Sequence, residues 1–260
     1  MRYADRRNEA FRDNERWTPP PFASPTTARG KLISRVRRVI DLQAASIWRD
    51  LRAPLKAVDG TILDVGAGAQ PYRPLINPAA EYQAIDIADA GEQFGYEIPG
   101  TIYFQGSEWP ITDHTVDLVL ATETLEHVAN PDAFLGEARR VLRKGGKVLL
   151  TVPFSARWHY IPHDYWRFTP SALRMLLERN GFTNVVVVAR GNELSVASAK
   201  IMALMLPFLM PQGDRLVFLH RLLGLALAPL LVMVAIVGQA TLRRQGGDDC
   251  LGYTVFAQSL

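Results

Sequence analysis

Between residues 60 and 190, short apolar runs alternate with longer stretches in which apolar side chains recur every third or fourth residue. That alternation is the mark of strands in a mostly parallel sheet connected by covering helices. It predicts strands at 61–65, 82–86, 102–105, 116–122, 147–152 and 184–189, with a last one at 251–258. Two of the intervening helices carry clear punctuation. Asn130 can cap one, with Pro131 at its first position, running through Phe134, Leu135, Ala138, Val141 and Leu142 to Gly145; Thr169 and Pro170 open another, which stops at Gly181.

The two ends of this region read differently. Residues 1–30 are polar and interrupted by Pro19, Pro20, Pro21 and Pro25, a composition that buries too little apolar surface to fix its backbone, so a flexible arm is expected. Over 31–56, Leu32, Ile33, Val36, Val39, Ile40, Ala44, Ile47, Trp48 and Leu51 recur at helical spacing among arginines, which predicts one basic amphipathic helix. Residues 194–242 are apolar almost throughout, with 222–238 free of charge. The expected organisation is therefore one α/β domain over 31–260, with a hydrophobic helical insertion at 194–242 between its sixth and seventh strands.

Composition narrows the class. The chain has 260 residues, 48% of them hydrophobic and 21% charged, which suits a globular core and excludes disorder or a disulfide scaffold for the whole. Its single cysteine, Cys250, permits neither an internal disulfide nor a cysteine-based zinc cluster. No apolar run follows Met1 closely enough to suggest a secretory signal, and a cytoplasmic location is expected. The first sixty residues hold 13 Lys/Arg against 7 Asp/Glu, so the front of the chain is the basic part. Aromatic and basic residues do not interleave beyond it, and no nucleic-acid partner is expected.

The most informative segment is Ile62-Leu63-Asp64-Val65-Gly66-Ala67-Gly68-Ala69, an apolar strand ending in a turn where small residues let the backbone approach a ligand. Asp86 ends the next strand, where a carboxylate can accept the hydroxyl hydrogens of a ribose. A dinucleotide site uses the same parts but wants a third glycine for its pyrophosphate, and Pro71 stands in that place. A nicotinamide-dependent oxidoreductase is disfavoured on that ground.

Several further motifs follow in order: Ile85-Asp86, Trp109-Pro110-Ile111 leading into Val116-Asp117-Leu118-Val119, Thr124-Leu125-Glu126-His127-Val128, and Arg139-Arg140-Val141-Leu142-Arg143-Lys144-Gly145-Gly146. With the glycine turn, they make residues 62–188 resemble the class I S-adenosylmethionine-dependent methyltransferases, in their type 11, small-substrate branch. The resemblance implies a Rossmann-like seven-stranded sheet whose last strand is antiparallel. It also implies that S-adenosyl-L-methionine is bound by Asp64, Gly66, Ala67 and Gly68 at its amino-acid end, by Asp86 at the ribose, by Ile87 against adenine, and by Thr122 and Glu123 beside the methionine moiety. The chain departs from the family before Trp109, where an acid is usual and Gln105-Gly106-Ser107 stands instead; adenine recognition is then expected from the Gln105 amide or from backbone at Gly106.

A sulfonium methyl group is already activated, so catalysis needs chiefly an aligned acceptor and the exclusion of water; a base is needed only if the acceptor must lose a proton. The segment 153–168, just after the fifth strand, mixes aromatic and polar residues as an acceptor pocket would. His159 and His163 are its candidate bases, with His127 a weaker one, and Trp158, Tyr160, Tyr165, Trp166 and Arg167 are candidate substrate contacts. No metal is expected, since Pro162 argues against a helix that would bring His159 and His163 onto one face.

The expected reaction is methyl transfer to a small or lipid-linked acceptor, most naturally at oxygen. A non-catalytic, cofactor-binding or membrane-associated scaffold on the same fold is the alternative. For residues 194–242 three roles stay open: a hairpin on an anionic membrane surface, placing the protein peripherally on the inner face; a homodimer interface; or a cap over the substrate pocket. The last strand must rejoin the sheet on the side from which the chain left, so a single crossing is excluded.

Overall fold

The computed structural model describes residues 27–91, 97–211, 217–244 and 248–260. Seven strands form one sheet: β1 (Thr61–Val65), β2 (Glu81–Ile87), β3 (Thr101–Phe104), β4 (Val116–Thr122), β5 (Leu142–Pro153), β6 (Phe182–Arg190) and β7 (Gly252–Ser259). Their order is β3-β2-β1-β4-β5-β7-β6, all parallel except β7, which pairs antiparallel with both β5 and β6. The order reverses between β1 and β4, which pair directly, and ligands in open α/β sheets bind beyond the carboxyl ends of strands at such a point.

Alternation along the strands explains how the sheet is covered. Leu63, Val65, Val119, Ala121, Val148, Leu150 and Val152 point to one face and pack under α3 (Pro131–Val141) and α4 (Pro170–Arg179) through Leu135, Ala138, Leu173 and Leu177. Ile62, Leu118, Leu120 and Leu149 point to the other, where α2 (Leu42–Ala57) supplies Ile47, Leu51 and Leu55. The capping expected from the sequence is present, with Ala133 N donating to Asn130 Oδ1 and Ala172 N to Thr169 Oγ1.

The larger differences from the expected boundaries lie in the helices, while strand ends shift, most of all at the start of β5. The basic amphipathic stretch is two helices, α1 (Ala28–Ile40) and α2, because Asp41 leaves the helical region (φ −102°, ψ 91°) and caps the second by accepting from Ala44 N at 3.0 Å. Residues 28–30 belong to α1, whose first turn Thr27 caps; residues 1–26 of the expected arm lie outside the described residues. The helix opened by Asn130 ends at Val141, not Gly145. Its last carbonyls, on Arg140 and Val141, accept from His114 N and Thr115 N, so Leu142 turns extended and starts β5.

Between β6 and β7 lie α5 (Glu193–Leu209) and α6 (Val217–Thr241), the helical insertion expected from the apolar stretch. They pack on each other and on Leu42 of α2 through Val196, Met202, Met205, Leu231, Val234 and Ala235. Gly224 lets the helices approach: a Cβ there would lie 2.6 Å from the Phe208 carbonyl oxygen. The outer side of α6 is apolar and exposed, with Phe218 76%, Leu225 69% and Ile236 63% accessible.

Candidate functional site

The turn after β1 is shaped by residues that can leave the usual backbone regions. Gly66 and Gly68 take φ of +65° and +49°, and Gly66 N and Ala67 N donate to the Ile85 carbonyl, which ties the turn to β2. A Cβ on Gly66 would sit 2.3 Å from Thr124 Cγ2, so only glycine allows β1 and the segment after β4 to come this close. At the end of β2, Asp86 accepts from Gly68 N and from Ile87 N, each at 2.8 Å. Those bonds fix its carboxylate beside the turn. Burial raises its pKa, and the two backbone donors oppose that rise.

These elements open into a cavity of about 640 Å³. Of the cofactor residues expected from the sequence, Gly66, Ala67, Gly68, Asp86, Ile87, Gly106, Thr122 and Glu123 line it. Asp64 does not: its side chain is buried behind the turn, with Oδ2 accepting from the Tyr82 hydroxyl at 2.7 Å. Burial pushes the Asp64 acid up to about 7 against the Tyr82 hydrogen bond, with nearby Asp86 adding to the rise. Gln105 is also absent from the lining; β3 ends at Phe104, and the Gln105 side chain is exposed while Gly106 and Ser107 border the cavity. Adenine recognition by the Gln105 amide therefore has no support in this geometry.

Glu123 is more constrained than the sequence suggested. It stands at φ +52° with its carboxylate engaged on both oxygens, by buried Arg190 at 2.8 Å and by Gln43 of α2 at 2.7 Å. The cavity floor is thus connected to the entry of the helical hairpin and to the helices before β1. Among the described residues, none from α5 or α6 lines the cavity.

The segment after β5 folds back across the end of β4. Tyr165 N and Trp166 N both reach the Glu126 carbonyl, and His127, His159, Tyr160 and His163 come together on one cavity wall. His127 Nδ1 donates to the His163 carbonyl at 2.6 Å. His159 Nδ1 lies 2.9 Å from Asp164 Oδ2, and Arg167 holds the same carboxylate with two bonds of 2.6 and 2.7 Å. Burial would raise the Asp164 acid, yet the Arg167 and His159 hydrogen bonds outweigh it and hold the group well below the usual carboxylate range. Asp164 is therefore a fixed anion that orients His159. Burial lowers the His127 pKa, with the His163 carbonyl working against it, so its ring is neutral near pH 7.

Of the five expected substrate contacts only Tyr160 lines the cavity. Trp158, Tyr165 and Trp166 are more than two-fifths exposed, and Arg167 is committed to Asp164. Residues not singled out from the sequence complete the walls: Phe104, Trp109 and Phe134 on the apolar side, Thr124 and Asn130 on the polar side. Trp109 and Thr124 stood inside recognised motifs, whereas nothing in the sequence marked Phe104 or Asn130 as lining.

The profile of one protein family, described as a methyltransferase domain, matches residues 36–187. The chain is 28% identical over 180 residues to a ubiquinone biosynthesis O-methyltransferase of Cereibacter sphaeroides, covering 58% of this chain and 71% of that one. It is 33% identical over 132 residues to a fatty-acid O-methyltransferase of Mycolicibacterium smegmatis, covering 45% of each. A malonyl-[acyl-carrier protein] O-methyltransferase of Methylococcus capsulatus matches at 27% over 143 residues, 52% of this chain and 50% of that one. The chain spans about half the length of several of the curated relatives it matches. Among solved structures, a SAM-dependent methyltransferase of Thermotoga maritima superposes with a TM-score of 0.52 at 13% identity, covering 88% of this chain and 97% of that one, a likeness of fold.

Proposed function

We infer the activity from one premise: the chain belongs to the class I S-adenosylmethionine-dependent methyltransferases, whose domain profile covers more than half of it. The reading it supports best is transfer of a methyl group from S-adenosylmethionine to an oxygen of a lipidic or lipid-linked acceptor. One observation carries this: the Gly66–Gly68 turn and the Asp86 carboxylate open on the same cavity as the His127–His159–Tyr160 wall. Donor and acceptor can then meet in one chamber whose volume suits a small-molecule site.

When bound, S-adenosylmethionine supplies a methyl group already activated by its positively charged sulfur. Asp86, held by Gly68 N and Ile87 N, keeps a carboxylate facing the ribose position. Gly66 and Ala67 give the amino-acid end a surface without side chains beyond a methyl. Glu123 is kept from swinging into the chamber by Arg190 and Gln43. In the same chamber His159, oriented by Asp164, is the residue on which removal of the acceptor's proton depends. Trp109, Phe134 and Phe104 exclude water from the apolar side.

The lipidic character of the acceptor is inferred from the apolar surface of the helices outside the sheet. Leu32, Ile33, Val36 and Val39 of α1 are all more than half exposed, and α1 lies against α6, where Gln239 Nε2 donates to the Arg38 carbonyl at 2.6 Å. With Phe218, Leu225, Val232 and Ile236 of α6 they leave eight large apolar side chains exposed on two helices that touch. Arg29, Lys31, Arg35, Arg221, Arg243 and Arg244 are exposed on the same helices or directly after them. Apolar insertion and basic residues together suit an anionic membrane surface. Relatives named for ubiquinone, fatty-acid and acyl-carrier substrates support the same direction.

Two measurements check the reading. In calorimetry the full chain binds S-adenosylmethionine and S-adenosylhomocysteine with one site each, and with a total membrane lipid extract it moves labelled methyl into the organic phase while forming S-adenosylhomocysteine. No binding of either compound overturns the assignment. In flotation, the chain rises with vesicles containing phosphatidylglycerol, and a Leu225→Glu/Val232→Glu variant stays behind with cofactor affinity unchanged; each buried apolar side chain is worth roughly 1.5–3 kcal/mol. A parent protein that remains in the dense fraction as a stable dimer would reassign this face to self-association.

A further inference from the structure

We propose that Glu126, His127 and His159 form a binding site for one divalent late-transition-metal cation of the zinc type, set in the wall of the cavity. One carboxylate oxygen and one nitrogen from each ring already lie within 4.8 Å of one another, and His127 Nε2 is 3.7 Å from Glu126 Oε1. Ligand atoms bound to zinc at about 2.0–2.2 Å stand roughly 3–3.5 Å apart, so closure requires side-chain movement of about an ångström.

The carboxylate makes the strongest case. Glu126 is completely buried, and both of its side-chain oxygens lack a hydrogen-bond partner. A buried carboxylate left this way is costly, and native structures keep such a group for a reason. Arg167, the arginine near Glu126, is spent on Asp164. A metal cation at the two imidazoles would supply the missing partner.

The rings are prepared in the manner of metal ligands. In each, Nδ1 is tied to an acceptor, the His163 carbonyl for His127 and the Asp164 carboxylate for His159. That fixes the tautomer with the lone pair on Nε2, the role that outer carboxylates and carbonyls play around zinc-bound histidines. Two histidines and a glutamate are a donor set of catalytic zinc sites, which keep a further position open. Because His127 and His159 line the cavity and Glu126 lies behind them, that open position falls on the cavity side. A hydroxyl taken there gives up its proton to water more readily, so His159 would act on the acceptor through the cation. This use rests on the methyl-transfer reading; the binding of the cation does not.

The test uses the full-length protein, stripped with a chelator and titrated with Co²⁺ and Zn²⁺. One equivalent of Co²⁺ binds with a visible absorption band, and Zn²⁺ displaces it. Glu126→Gln and His159→Ala each weaken Co²⁺ by more than about 100-fold, and Asp164→Asn by about 10- to 100-fold, the usual effect of an outer partner. His163→Ala keeps the parent affinity, since its backbone carbonyl is unchanged. Circular dichroism confirms that each variant is folded. A folded parent chain that takes up no Co²⁺, or Glu126→Gln and His159→Ala variants that bind it as tightly as the parent, overturns the site. Calorimetry with S-adenosylmethionine on the same samples reports separately on the methyltransferase reading.

Discussion

A Gly66→Ala variant is expected to bind S-adenosylmethionine at least ~100-fold more weakly than the parent, about 2.7 kcal/mol by the usual conversion. Two costs combine. Alanine resists the φ of +65° that residue 66 adopts, and its Cβ would fall 2.3 Å from Thr124 Cγ2 and 2.8 Å from Thr124 Oγ1. The chain relieves the contact by moving the turn away from β4, which is where the donor's amino-acid end is proposed to lie. The two costs can be separated. In the Gly66→Ala/Thr124→Ala double variant the methyl and hydroxyl are gone, leaving the 3.1 Å approach to the Cβ of residue 124 and the backbone strain of roughly 1–2 kcal/mol. Calorimetry on all four proteins gives the coupling between the positions. Recovery of about tenfold in the double variant agrees with a steric cause; equal weakening in the single and double variants would show that the Thr124 contact does not set the affinity.

Much of this arrangement was legible because it depends on local rules. The short apolar run at 61–65 marked β1, and the Asn130 and Thr169 caps marked helix starts that the structure keeps. What was hidden depends on neighbours distant in sequence. Leu142 continues a helical apolar stripe, yet His114 and Thr115 take the last carbonyls and turn it into a strand. Gln105 offered the right chemistry for adenine, but β3 ends one residue before it and leaves its side chain outside. Asp64 was expected among the cofactor's neighbours, and the alternation of β1 instead buries it against Tyr82.

Glu126 shows the same limit most clearly. Its place in Thr124-Leu125-Glu126-His127 was read as part of a family motif, with no role assigned. Only the return of residues 159–166 over the end of β4 reveals that its carboxylate is sealed beside two imidazoles. Likewise the cluster of aromatics after β5 suggested a pocket lining, whereas the fold uses Tyr160 for that purpose and leaves Trp158, Tyr165 and Trp166 at the surface.

The second large effect concerns His159. A His159→Ala variant is expected to lose about 10²- to 10⁴-fold in turnover, read as S-adenosylhomocysteine formed with the membrane lipid extract, while its affinity for S-adenosylmethionine stays within about threefold. The separation follows from contacts: the ring packs against His127 and Tyr160, and the hydrogen bonds that hold Asp164 come from His159 and Arg167 rather than from the Gly66–Gly68 turn. Asp164→Asn keeps the ring but removes the fixed anion that orients it, so its loss is smaller and falls on kcat more than on KM. His163→Ala serves as the contrast, because His163 offers its carbonyl to His127 and its ring only a long 3.4 Å contact to the Tyr165 hydroxyl. A His163→Ala protein that loses more turnover than His159→Ala would move the proton-handling role to the second histidine. Loss of donor binding in His159→Ala would instead mean that the wall is structural, since a residue acting only on the acceptor cannot weaken a ligand it does not touch.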